Sequence, residues 1–108
     1  MLIVRADIKF NRPEGNTVES DGISTQYPLR PAFKFGDGLL FSGTIISNIP
    51  CDKFLYQELY HVNIEFPTIE GEAYEEIKPL INEGMILDIQ NASRIIGTAK
   101  VLDFTYKK

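Results

Sequence analysis

The chain has 108 residues, 44% of them hydrophobic, with one cysteine and a formal charge of −4. That is the size and apolar content of one domain with one packed core. It excludes an intrachain disulfide, and it argues against a disordered chain and against partners held by bulk positive charge, such as nucleic acid or an anionic membrane. No run approaches the ~18 apolar residues of a membrane span, and Met1–Val4 is too short and too soon charged for a secretory signal, so the expectation is a soluble, cytoplasmic domain covering residues 1–108.

Leu2, Val4, Ala6, Ile8 and Phe10 alternate with Ile3, Arg5, Asp7 and Lys9, the period of a half-buried strand. Residues 11–26, with Pro13, Gly15, Asn16, Asp21 and Gly22, read as a long loop. Pro28 and Pro31 bias the residues before them to extended geometry. Ala32 to Phe35 is a strand, Gly36-Asp37-Gly38 a turn, and Leu39 to Ser47 the return strand, in which Gly43 suggests a bend or a close backbone approach. Lys53 to Tyr56 is ambiguous. Tyr60, Val62, Ile64 and Phe66 alternate as a further strand ending at Pro67.

The period then changes. Ile69, Ala73, Ile77 and Leu80 or Ile81 recur every three to four residues, predicting a short helix over 73–81, with Pro79 near its end and Gly84 as a stop. Met85, Leu87 and Ile89 resume the strand period. Asn91-Ala92-Ser93 makes a turn, and Arg94 to Tyr106 is the last strand, with a possible bulge at Gly97. The sum is an all-β chain: a six-stranded antiparallel Greek-key β-barrel with one short helical insertion.

Two stretches carry a resemblance. Tyr27, Arg30, Pro31, Phe33 and Phe35, followed by Gly43-Thr44-Ile45, resemble the Tyr-Arg-Pro-Gln-Phe-Tyr-Phe hairpin of the C-terminal β-barrel of elongation factor Tu. Gly84 to Ile89 and Arg94 to Ala99 resemble that family's last hairpin. The resemblance implies the barrel fold over nearly the whole chain. The departures bear on function. There is no Gly-x-x-x-x-Gly-Lys-Ser/Thr phosphate loop, so no GTP is expected. Ala32 replaces the glutamine that in the family helps contact the tRNA T-stem, Ser42 keeps a hydroxyl, and Ala92-Ser93 replaces a glycine pair. Glu14-Gly15-Asn16-Thr17 replaces a loop with basic residues, which weighs against nucleic acid as a partner.

No catalytic, cofactor or metal site is nominated. His61 shares a strand face with Asn63 and Glu65, but zinc needs three or four convergent ligands, and a solvated polar face is the better reading. Cys51, between Pro50 and Asp52, lacks an activating context. Glu70, Glu72, Glu75 and Glu76 suit a helix start and can also face a basic partner. Arg30 and Arg94 flank strand ends, where structural salt bridges are the first expectation and ligand contact the second. Tyr74, with Tyr27, Phe54, Tyr56 and Tyr60, is a candidate for an interface if such rings cluster outside. These seven residues, Arg30, Glu70, Glu72, Tyr74, Glu75, Glu76 and Arg94, make the candidate interaction surface. The expectation is a non-enzymatic protein-interaction module, with an immunity or decoy protein as one version. RNA or tRNA binding is the alternative, and an enzyme with an unseen site the third.

Overall fold

In a computed structural model, residues 1–14, 21–26, 29–36 and 38–108 are described. What was expected of 15–20, 27–28 and 37, including Tyr27 and the centre of the Gly36–Gly38 turn, lies outside the described residues. The strands in chain order are β1 (Leu2–Phe10), β2 (Gly22–Ser24), β3 (Ala32–Lys34), β4 (Leu40–Ser42), β5 (Thr44–Ser47), β6 (Lys53–Leu55) and β7 (Tyr60–Phe66). After them come the helix α1 (Glu72–Ile77), β8 (Ile86–Asn91) and β9 (Arg94–Tyr106).

Seven strands form one antiparallel sheet in the order β4-β3-β8-β9-β1-β7-β5. Its two edges, β4 and β5, are consecutive segments of one run of chain joined at Gly43. β4 pairs with β3 and β5 with β7, so the sheet curls until its ends meet in that run. Counted this way the sheet has the six runs expected. β3, the β4–β5 run and β7 follow one another, and β8 then returns to lie beside β3, which is the Greek-key arrangement.

Gly43 is the reason the run can turn. A Cβ there would lie 2.7 Å from Ile64, 2.8 Å from Phe66 and 3.0 Å from Phe33, so its Cα faces straight into the core. Leu39, Phe41, Gly43 and Ile45 keep one alternation across the join and face inward. Behind them Phe66 meets Phe33 and Phe35 edge-on, with centroids 5.3 and 5.2 Å apart. Leu2, Val4, Ala6, Ile8 and Phe10 supply the centre of the core, all essentially without solvent contact. On the outer face of the sheet, Arg5 and Asp103 sit opposite each other and pair through two hydrogen bonds of 3.1 and 2.5 Å. Donating to the Asp103 carboxylate raises the pKa of the guanidinium.

Three expectations change. Within the 11–26 stretch, residues 22–24 are a strand, and Lys53–Leu55 is its antiparallel partner. The alternating signal was absent because each strand has only three residues. The ribbon is held by Phe54, which packs on Phe10 and Tyr60 at 5.9 and 4.9 Å, and by the ion pair of Lys53 with Asp21. The helix ends at Ile77, not at residue 81. Pro79 cannot continue it, and Leu80 and Ile81 form a turn that still buries Ile81. Gly84, with φ of 89°, belongs to the turn into β8 and not to a helix stop.

Gly97 marks a bulge, as its place in the strand suggested. The β8–β9 register slips between Ile89 and Gln90, and a Cβ at Gly97 would lie 2.4 Å from the Lys9 carbonyl oxygen. β1 therefore packs backbone to backbone on the bulge. Among the described residues no helix is long and apolar enough to cross a membrane.

Candidate functional site

Strand register brings three distant segments to one end of the sheet. Phe10 pairs with Gly97, and the Asn11 amide donates to the Ile96 carbonyl at 2.8 Å, which carries Arg12 alongside Ile95 and Arg94. Ala32 pairs with Gln90, so Pro31 and Arg30 run on beside the tip of the β8–β9 hairpin. The β2–β6 ribbon closes the fourth side with Ile23 and Tyr56.

Between these walls lies a cavity of about 690 Å³. Arg12, Arg30 and Arg94 line it, and all three are exposed. Phe10, Ile23, Leu29, Tyr56 and Ile96 supply its apolar part. Glu14 is the only carboxylate among the described residues that line it. Arg12 acts at a distance on Asp21. It adds to the hydrogen bond from Lys53, the main cause that holds the Asp21 carboxyl below its ordinary range. Arg30 and Arg94 have no carboxylate within ion-pair distance among the described residues, so the salt bridges first expected of them are not there. The geometry instead offers two guanidinium forks and a third cation over an apolar floor, a set able to hold a carboxylate or another planar anion beside an apolar group.

The other five predicted residues stand at the opposite end. Tyr106, at the far end of the 13-residue β9 from Arg94, stacks on Tyr74 with rings 3.8 Å apart and 8° from parallel. Its hydroxyl accepts the Gly71 amide at 3.0 Å, just before α1. Glu70 accepts from the Met1 ammonium at 3.1 Å, and Glu72 and Glu75 occupy the first turn of α1. Glu76 is exposed with them. The seven candidates therefore do not form one surface. They divide into an arginine-lined cavity and a convex acidic helix, with roughly 35 Å of strand between, at ~3 Å of rise per residue.

The remaining candidates resolve as framework. The His61 imidazole meets Asp7 across the β1–β7 pair at 2.5 Å, and the Asn63 amide donates to Asn48 at 3.3 Å. Among the described residues no group of three or more His, Cys, Asp or Glu converges as metal ligands do. Phe54 is core, Tyr60 accepts the Leu55 amide, and among the described residues no exposed cluster of rings forms from them. Cys51 is half-buried near the Ser47 hydroxyl, 3.9 Å away.

Arg12 was missed because it follows a strand without any local signal. Only the β1–β9 register places it beside Arg94. No protein-family model matches the chain, and a search of curated proteins finds no match.

Proposed function

We propose that this chain is a non-enzymatic interaction module, a barrel like the C-terminal barrel of elongation factor Tu, that docks a protein partner at its arginine-lined end. The supporting observation is the convergence of Arg12, Arg30 and Arg94 on one concave, partly apolar site. Concave sites with few, well-placed polar groups over apolar walls are the usual form of a binding site. An immunity or decoy role is one form of this reading, and it places the chain in the cytoplasm, where a lone half-buried thiol such as Cys51 stays reduced. The helical end, with its solvated carboxylates, serves the fold in this reading.

The second reading, RNA binding, draws on the same three arginines. Capture from native lysate, with and without nuclease, separates the two. The docking reading expects a protein partner that survives nuclease and is lost with the paired change Arg30→Ala and Arg94→Ala. Recovery of RNA with a steep salt dependence would overturn it.

A further inference from the structure

We infer that the occupant of the cavity is an acidic peptide segment of the partner: a short stretch of chain with carboxylates beside a large apolar side chain. This rests on the docking reading and specifies its ligand. Charge is the first argument. The chain carries −4 overall, yet among the described residues the cavity gathers three guanidiniums against the single carboxylate of Glu14. Among the described residues no carboxylate lies within ion-pair distance of Arg30 or Arg94, which leaves their forks open to a ligand. A guanidinium fork matches a carboxylate with two parallel hydrogen bonds.

Shape and polarity are the second argument. About 690 Å³ lies in the range of pockets that swallow a few side chains, not of flat interfaces between folded surfaces. The floor is apolar, from Phe10, Leu29 and Ile96, and Ile95 stands 54% exposed beside Arg94 at the rim. A purely charged ligand would leave that apolar lining wet, whereas an apolar residue flanked by Asp or Glu satisfies both parts of the wall.

A nucleic-acid backbone fits less well. It requires a basic track along the surface, with successive phosphates each near a cation. Here three arginines gather in one cavity, and next to the adjoining ribbon Asp52 and Glu58 stand exposed while its Lys53 is paired with Asp21, so the cavity does not run on into a basic track there.

The test is a random heptapeptide display library panned on the wild-type protein and on the Arg30→Ala/Arg94→Ala double variant, with a single-stranded RNA 12-mer as a second probe. The wild type should enrich peptides with Asp or Glu next to Phe, Tyr, Leu or Ile. These should bind the double variant at least ~10-fold more weakly and Arg94→Lys to an intermediate degree, because lysine keeps the charge and loses the fork. Unchanged thermal melting of Arg94→Lys keeps the comparison valid if the double variant folds poorly. Failure to enrich acidic peptides, equal affinity for both arginine variants, or tighter binding of the RNA would overturn the inference. Lysate capture tells the two failures apart. If a captured partner is lost on the double variant while no acidic peptide is enriched, the docking reading stands and only its ligand is wrong; if the partner stays on the double variant, or no protein partner is captured at all, the docking reading falls too.

Discussion

The two ends of this barrel carry opposite charges and use them differently. At one end Glu70, Glu72, Glu75 and Glu76 sit on and before a six-residue helix, where each charge has a local task or faces water. Glu70 meets the Met1 ammonium, and Glu72 and Glu75 oppose the positive pole of α1. At the other end Arg12, Arg30 and Arg94 come from three separate segments, and two of them have no carboxylate partner among the described residues. The acidic group is the more conspicuous in sequence because it is contiguous. The arginines are the stronger binding candidate because they are concave, convergent and unspent.

The largest test breaks the framework on which both ends depend. Gly43→Ala should destabilise by about 3 kcal/mol, since the new methyl meets Ile64, Phe66 and Phe33 within 3.0 Å in an already filled core. Urea unfolding measures this; a change below about 1 kcal/mol would show that the run through Gly43 has room to relax. Next, Tyr106→Phe should cost about 0.5 kcal/mol by removing the acceptor of the exposed Gly71 amide, which water then solvates, and it should leave peptide binding at the far end unaltered. Coupled loss of binding would mean the two ends are not independent.

At the arginine end the hairpin tip holds Ala92 at φ of 57°, a conformation that costs an L-residue about 1 kcal/mol. Ala92→Gly should therefore raise stability by about 0.5 kcal/mol, read as a higher melting temperature. Charge neutralisation sharpens the contrast directly. Glu72→Gln and Glu75→Gln should each lose about 0.3 kcal/mol of stability with no effect on binding. Arg30→Gln and Arg94→Gln should leave stability within about 0.5 kcal/mol while abolishing binding. The reverse pattern would exchange the roles of the two ends.

The smallest effect concerns pH. The hydrogen bond from Lys53 is the main cause of the lowered Asp21 pKa. The folded value thus lies below the unfolded one of ~3.9. The tether of the β2–β6 ribbon is fully present above that value and is lost as pH falls through the folded pKa. Amide shifts of Ile23 and Lys53, followed by NMR from about pH 6 to about pH 2, should move together below about pH 4 and not in Asp21→Asn.

Most strands were legible because one inward face needs a two-residue period. Leu2–Phe10 and Tyr60–Phe66 show it outright, and Arg94–Tyr106 was bounded by its turn and tail. Gly43 could be marked as a bend or close approach and Gly97 as a bulge, although not what packs against either. The β2–β6 ribbon was hidden because three residues are too few to show a period. The helix was overextended because Leu80 and Ile81 continue its apolar spacing while Pro79 forbids its hydrogen bonding.

What the order of residues determined by itself was the all-β class, the six strand runs and the inward face of all but the last, since alternation is a local property of the chain. What only the tertiary structure decided was which ends meet. Residues 12, 30 and 94 become neighbours through the register of β1 on β9 and of β3 on β8, and register is a property of paired strands, not of any one of them. The cavity exists because those pairings hold three like charges around an apolar floor, an arrangement no single segment encodes.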